Sequence, residues 1–140
     1  MAYQDILETN LRAAEGEILW MYRDQFGYAT IAVGHLIDQR KGGRISKAAS
    51  AFILNEDMAD VDNRIRDVVP SFDSLSDVRK AAIAEMDFQL GQGGLAAFTT
   101  FLGLIASQDF AGAADDLATT KWAQQVPSRA KRIADMIRGG

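Results

Sequence analysis

The chain has no cysteine and a single histidine, so disulfide frameworks and thiolate metal sites are excluded and a His-rich zinc site cannot be built. It also lacks a basic excess. Fifteen Lys plus Arg stand against nineteen Asp plus Glu, a net charge of −4, so no global field marks a nucleic-acid binder. No apolar run approaches the roughly eighteen residues needed to span a bilayer. The first eight residues, Met-Ala-Tyr-Gln-Asp-Ile-Leu-Glu, have neither the basic nor the apolar region of a secretory signal. Cytoplasmic synthesis without stable membrane insertion is expected, and a target beyond the membrane would require delivery by something else.

What remains is an ordinary globular composition. One hundred and forty residues, 48% apolar and 24% charged, suit one domain or two lobes sharing a core, because that length buries roughly 68% of its unfolded surface. The charge is uneven: residues 1 to 120 carry ten basic and eighteen acidic side chains, the last twenty five and one. Any anion-facing surface is therefore expected near the C-terminus, around Arg129, Lys131, Arg132 and Arg138, unless this is simply a solvated last helix.

Apolar spacing at Ile6, Leu7, Leu11 and Ala14, stopped by Gly16, predicts a short amphipathic helix. Residues 18 to 37 turn β-branched and aromatic, with Gly27 and Gly34 as punctuation, and predict a small β-meander. The polar stretch from Arg40 to Arg44 predicts a turn leading to a brief strand around Ile45. Ser46 is placed to cap a helix in which Leu54, Met58, Val61, Ile65 and Val68 recur at helical spacing until Pro70. At about twenty residues it would run about 30 Å, enough to join two lobes. The next segment, Val78 to Leu90, is apolar around most of its circumference and is expected to be central, ending at Gly91, Gly93 and Gly94. Three shorter helical pieces follow, with Pro127 early in the last.

Glu15, Asp24 and Thr30 could bring an acid, a carboxylate and a hydroxyl around one cleft. Acetal hydrolysis needs that set: a proton for the leaving oxygen, and a carboxylate and hydroxyl to hold water on the opposite side of the sugar. Acidic residues are common, and on spacing alone solvated structural roles stay open. The stretch Glu15-Gly16, Tyr22-Arg23-Asp24 and Gly27 through Leu36 resembles the catalytic lobe of phage-type lysozymes (endolysins), with eight residues between Glu and Asp and five between Asp and Thr. Asp73-Ser74-Leu75, Val78 to Ala82, Met86, Phe88-Gln89, Gly91, Ala97-Phe98-Thr99, Lys121-Trp122 and Arg129 to Arg132 resemble the helical lobe of the same family.

The resemblance implies an α+β, predominantly helical, two-lobed fold: a β-rich lobe over about 15–45, a connecting helix over about 46–69, and a helical lobe over about 70–140 together with the N-terminal helix. It implies hydrolysis of the β-1,4 bond between N-acetylmuramic acid and N-acetylglucosamine of peptidoglycan, with inversion and without cofactor or metal. Glu15 would be the general acid, Asp24 would assist the water and the developing positive charge, and Thr30 would position that water. Arg129 would orient Glu15, or form a lobe-to-lobe ion pair. His35 and Asp57 would be a structural pair linking the β-lobe to the long helix. Gln89, Trp122, Leu36 and Phe98 would meet the sugar, with Trp122 equally able to be core; Met86 and Phe88 would be packing residues.

Nine residues separate His35 from Ile45, fewer than the family's usual excursion, so an abbreviated β-lobe is expected. Ala32 replaces a glycine usual in the family's hairpin, and Val126 stands where a polar cleft residue is common. The acidic balance implies weak electrostatic steering. The enzyme reading is a monomeric phage or prophage endolysin, made in the host cytoplasm and reaching the wall in the periplasm through a separate holin-type pore. A wall-piercing virion domain is a variant of it, against which the bare ends at Met1 and Gly140 speak. The competing class is a non-catalytic wall-binding or virion assembly module.

Overall fold

The computed structural model describes residues 3–38 and 43–140. Its elements are α1 (Tyr3–Glu15), β1 (Ile18–Arg23), β2 (Ala29–Ala32), β3 (His35–Leu36), α2 (Lys47–Val68), α3 (Asp77–Ala96), α4 (Thr99–Ala106), α5 (Phe110–Ala118), α6 (Lys121–Gln125) and α7 (Pro127–Gly139). The protein is α+β and predominantly helical, as its sequence predicts. Contacts divide it into two compact units, Met1–Phe52 and Ile53–Gly140, so the boundary falls inside α2. α1 belongs with the sheet in the first unit, where the sequence reading groups it with the helical lobe.

In the first unit α1 ends where Gly16 turns left-handed at φ 70, a conformation glycine enters without steric cost. The sheet is antiparallel, order β1-β2-β3. Tyr22 pairs with Thr30 and Ile18 with Ala32, so β1 carries two surplus residues between those pairs, the signature of a bulge. Thr30 also pairs with Leu36, and Ile31 with His35. Residues 43 to 46 form no strand, which corrects the expectation around Ile45; a strand there would need a neighbouring ladder to satisfy its backbone. Arg40, Lys41 and Gly42 of the expected turn lie outside the described residues.

α2 begins as its sequence predicts: the Ser46 hydroxyl accepts the Ala49 N–H at 3.1 Å, an N-cap. Of its apolar stripe only Val61 and Ile65 are buried; Leu54 and Met58 are half exposed and line an apolar groove with Phe72, Ala81, Ala84 and Phe88. Phe88 is therefore not the packing residue its sequence context suggests, whereas Met86 is wholly buried. After Pro70, Arg66 grips Asp73 with two hydrogen bonds, Nε to Oδ2 at 2.9 Å and Nη2 to Oδ1 at 2.8 Å, fixing the 3-10 turn Phe72–Ser74 to the end of α2. That bond holds the Asp73 carboxyl below the ordinary carboxylate range.

The core of the second unit is assembled from α2 through α7, with Ile65, Ile83, Met86, Leu95, Phe101, Leu117, Ile133 and Ile137 wholly buried. One charge lies among them. Asp87 is fully buried, and its Oδ2 accepts a hydrogen bond from Arg64 Nε at 2.9 Å and lies 2.9 Å from Nη2 of the same guanidinium, while Oδ1 has no partner among the described residues. A buried carboxylate is tolerated only when it is paired. α3 also departs from the sequence reading. Gly91 leaves helical geometry at φ 74, yet helix resumes through Gly93 and Gly94 to Ala96. The wholly buried Leu95 explains the resumption, because its side chain reaches the core only from a continued turn.

Candidate functional site

The residues expected to carry chemistry on the sheet all gather around β2. Asp24 follows β1 and opens a three-residue loop: its N–H donates to Tyr28 O, and its C=O accepts from Gly27 N, each at 2.9 Å. Gly27 supplies the left-handed position at φ 84, the pattern of a type I turn closed by a G1 bulge. The carboxylate is built into that turn. Asp24 Oδ1 accepts the N–H groups of Phe26 and Tyr28, both at 2.9 Å, while Oδ2 takes no bond within the described residues.

Thr30 is 5% exposed, and its hydroxyl donates to Tyr28 O at 3.2 Å. With that proton committed, the hydroxyl oxygen can act toward a third group only as an acceptor. One residue, Tyr28, therefore ties Asp24 to Thr30: its N–H donates to the carboxylate and its C=O accepts the hydroxyl proton.

Glu15 stands at the other end of β2. It is the last residue of α1, is exposed, and lies against the turn between β2 and β3, where a Cβ added to Gly34 would come within 2.9 Å of Glu15 Oε2. A side chain there would push the Glu15 side chain aside, and φ 62 at Gly34 asks for glycine in any case. From Tyr28 to Ala32 is four residues, about 13 Å of extended chain, with Thr30 midway. Leu36, the ladder partner of Thr30, shares its face and borders a shallow groove with Asp38, Arg44 and Lys47. His35 is exposed on β3, and Asp57 is exposed on α2 in the second unit.

The second unit brings together three of the expected sugar-contacting residues. Trp122 Nε1 donates to Gln89 Oε1 at 3.3 Å, and the Trp122 ring meets Phe98 edge-on at 6.0 Å between centroids. Trp122 is 5% exposed, so it serves the core while its edge, with Phe98, Thr99, Asp116 and Lys121, lines a cavity.

Arg129 has a partner that the sequence does not announce. Its Nε lies 3.4 Å from Glu85 Oε1, and Arg132 hydrogen-bonds the same oxygen. The Arg132 bond, reinforced by both cations and opposed by partial burial, lowers the Glu85 pKa from the usual carboxylate value. Lys131 pairs with Asp135 at 2.7 Å and Arg138 with Asp115. The basic C-terminal cluster is thus answered by carboxylates in its own unit. Glu85 was hidden because it occupies an ordinary helical position forty-four residues before Arg129, and only the packing of α3 on α7 makes them neighbours.

The profile of the phage lysozyme family matches residues 12–136. The chain is similar to two proteins of Dictyostelium discoideum. It is 28% identical to "Probable T4-type lysozyme 1" over 156 aligned residues, 93% of this chain and 92% of that one. It is 29% identical to "Probable T4-type lysozyme 2" over 160, 96% and 94%. It is also 29% identical over 155 residues to the pre-baseplate central spike protein Gp5 of Enterobacteria phage T4, spanning 93% of this chain and 27% of the spike protein.

Proposed function

The chain belongs to the phage lysozyme family of glycoside hydrolases, and on that premise we propose that it is an inverting muramidase cutting the β-1,4 bond between N-acetylmuramic acid and N-acetylglucosamine of peptidoglycan. The observation that carries this reading is the turn at Asp24. One carboxylate oxygen is consumed in shaping the backbone, the other takes no bond within the described residues, and Tyr28, which donates to that carboxylate, also accepts the Thr30 hydroxyl proton, so the free role of that hydroxyl is to accept.

The roles follow from that chemistry. A water donates one hydrogen to the Thr30 hydroxyl and the other to Asp24 Oδ2, which leaves a lone pair for the anomeric carbon. As the water oxygen bonds to that carbon, the glycosidic C–O bond breaks, Glu15 gives its proton to the departing oxygen, and Asp24 takes the proton of the water. Inversion requires the two carboxyl groups to stand about 6.5–9.5 Å apart so that water fits between them, and Glu15 and Asp24 approach β2 from different neighbours, the β2–β3 turn and the β1–β2 loop. Gln89, Phe98 and Trp122, with Leu36 on the sheet, hold the glycan, and Arg129 serves as catalytic support. The biological role is that of a monomeric endolysin, synthesised in the host cytoplasm and passed to the wall by a holin-type pore.

Digestion of purified peptidoglycan tests this. Mass spectrometry is expected to find reducing muramic ends one water heavier than anhydro ends, and proton NMR an α-anomer as first product. Glu15→Gln and Asp24→Asn are each expected to lower kcat by roughly 10²- to 10⁴-fold. Anhydro ends would overturn hydrolysis in favour of transglycosylation. A second reading, favoured by the likeness to the Gp5 spike protein, is a virion-associated wall module; wall binding by wild type without new ends would establish its non-catalytic form.

A further inference from the structure

We propose that Phe26 is a substrate-binding residue whose ring forms a platform for the C–H face of a pyranose seated against Asp24, an inference that rests on the glycosidase reading of that carboxylate. Phe26 is 67% exposed at the tip of the loop between β1 and β2. Neither local nor tertiary structure accounts for a phenyl ring there. The middle of a type I turn favours small polar residues that bond their own backbone, and the core gains little from a side chain left in water, in contrast to Phe72 and Phe101, which are buried. A residue that contradicts its local setting without a packing gain is the kind of inconsistency expected at functional sites.

The turn fixes the ring's base. The Phe26 N–H donates to Asp24 Oδ1 at 2.9 Å, Gly27 N closes on Asp24 O, and the Arg23 guanidinium bonds Gly27 O at 3.0 Å. The carboxylate that faces the sugar and the residue carrying the ring are therefore two ends of one hydrogen-bonded loop, so little ordering entropy is lost when a ligand settles on it. Chemically, a phenyl ring suits a sugar face. A pyranose presents C–H groups on its flat side and hydroxyl or N-acetyl groups at its rim. An aromatic face is electron-rich, attracts the C–H groups, buries apolar area with only two torsions to fix, and leaves the rim free to hydrogen-bond elsewhere.

The test uses the full chain and peptide-free glycan oligomers of alternating N-acetylglucosamine and N-acetylmuramic acid. Phe26→Ala is expected to raise KM roughly five- to ten-fold, with kcat within about two-fold, as uniform binding requires. The melting temperature should stay put because the ring is exposed. Phe26→Tyr and Phe26→Trp should restore KM, and Phe26→Leu should not. In wild type, the Phe26 ring resonances should shift on titration with the tetrasaccharide. An unchanged KM in Phe26→Ala, or full rescue by Leu, would overturn the platform while leaving the muramidase reading intact. A wild type that cuts no glycan defeats the muramidase reading, and the titration then still decides whether a sugar meets this ring.

Discussion

Ala32 closes β2 at φ 57, and among the described residues only Gln108 shares this left-handed geometry without being a glycine. A Cβ there crowds the following carbonyl, at about 1–2 kcal/mol for an L-residue. The chain thus bears strain two residues before Gly34, which lies against Glu15. Ala32→Gly is expected to stabilise the protein by about 0.5–1 kcal/mol, the relief being partly offset by the greater freedom of glycine in the unfolded chain. Ala32→Val should destabilise by more than about 1 kcal/mol, since a β-branched side chain suffers more there. Urea denaturation of the three proteins checks both signs. Phe26, Asp24 and Thr30 show an economy at this scale: the residues that would meet a sugar or its water also make the bonds that hold the loop, through different atoms.

α3 shows how a glycine-rich stretch misleads at the scale of an element. Gly91, Gly93 and Gly94 read as a stop, and the helix does break at Gly91, but only there. Gly91 at φ 74 and ψ 165 occupies a region that side chains do not enter cheaply, although a Cβ would meet nothing within 4 Å. Gly91→Ala is therefore expected to cost about 1–3 kcal/mol through torsion alone. Gly93 is helical with open space around it, and Gly93→Ala should instead stabilise by up to about 1 kcal/mol, the helix-propensity difference. Opposite shifts in urea midpoint at two glycines two residues apart would verify that helix resumes before Ala96. The caps were easier to read, because Ser46 and Pro127 act on their own neighbours: Ser46 caps α2 and Pro127 opens α7.

For the molecule as a whole, a net charge of −4 opposes attraction to an anionic wall polymer. The C-terminal cations do little to reverse this, since Arg129, Lys131, Arg132 and Arg138 each face a carboxylate in the second unit. Association should depend weakly on ionic strength. Raising sodium chloride from about 20 to about 200 mM shortens the screening length from roughly 20 to 7 Å, yet hydrolysis of purified wall is expected to change by less than about three-fold. A loss of ten-fold or more would mean that a cationic surface steers the substrate after all.

Sequence alone settled whatever is decided by near neighbours along the chain. The meander with its glycine turns, the Ser46 cap, the length of α2, and the family with its spacing from Glu15 to Asp24 to Thr30 are of this kind, because turn torsions, capping and helical period are local. Tertiary structure decided what depends on elements meeting: that Gln89 holds the indole of Trp122, and that Asp87 is buried on Arg64. It also decided that Arg129 finds Glu85, and that Leu54, Met58 and Phe88 stay half exposed. Periodicity says which side of a helix is apolar, but what covers that side, and which charge waits across from it, is set only when distant segments pack.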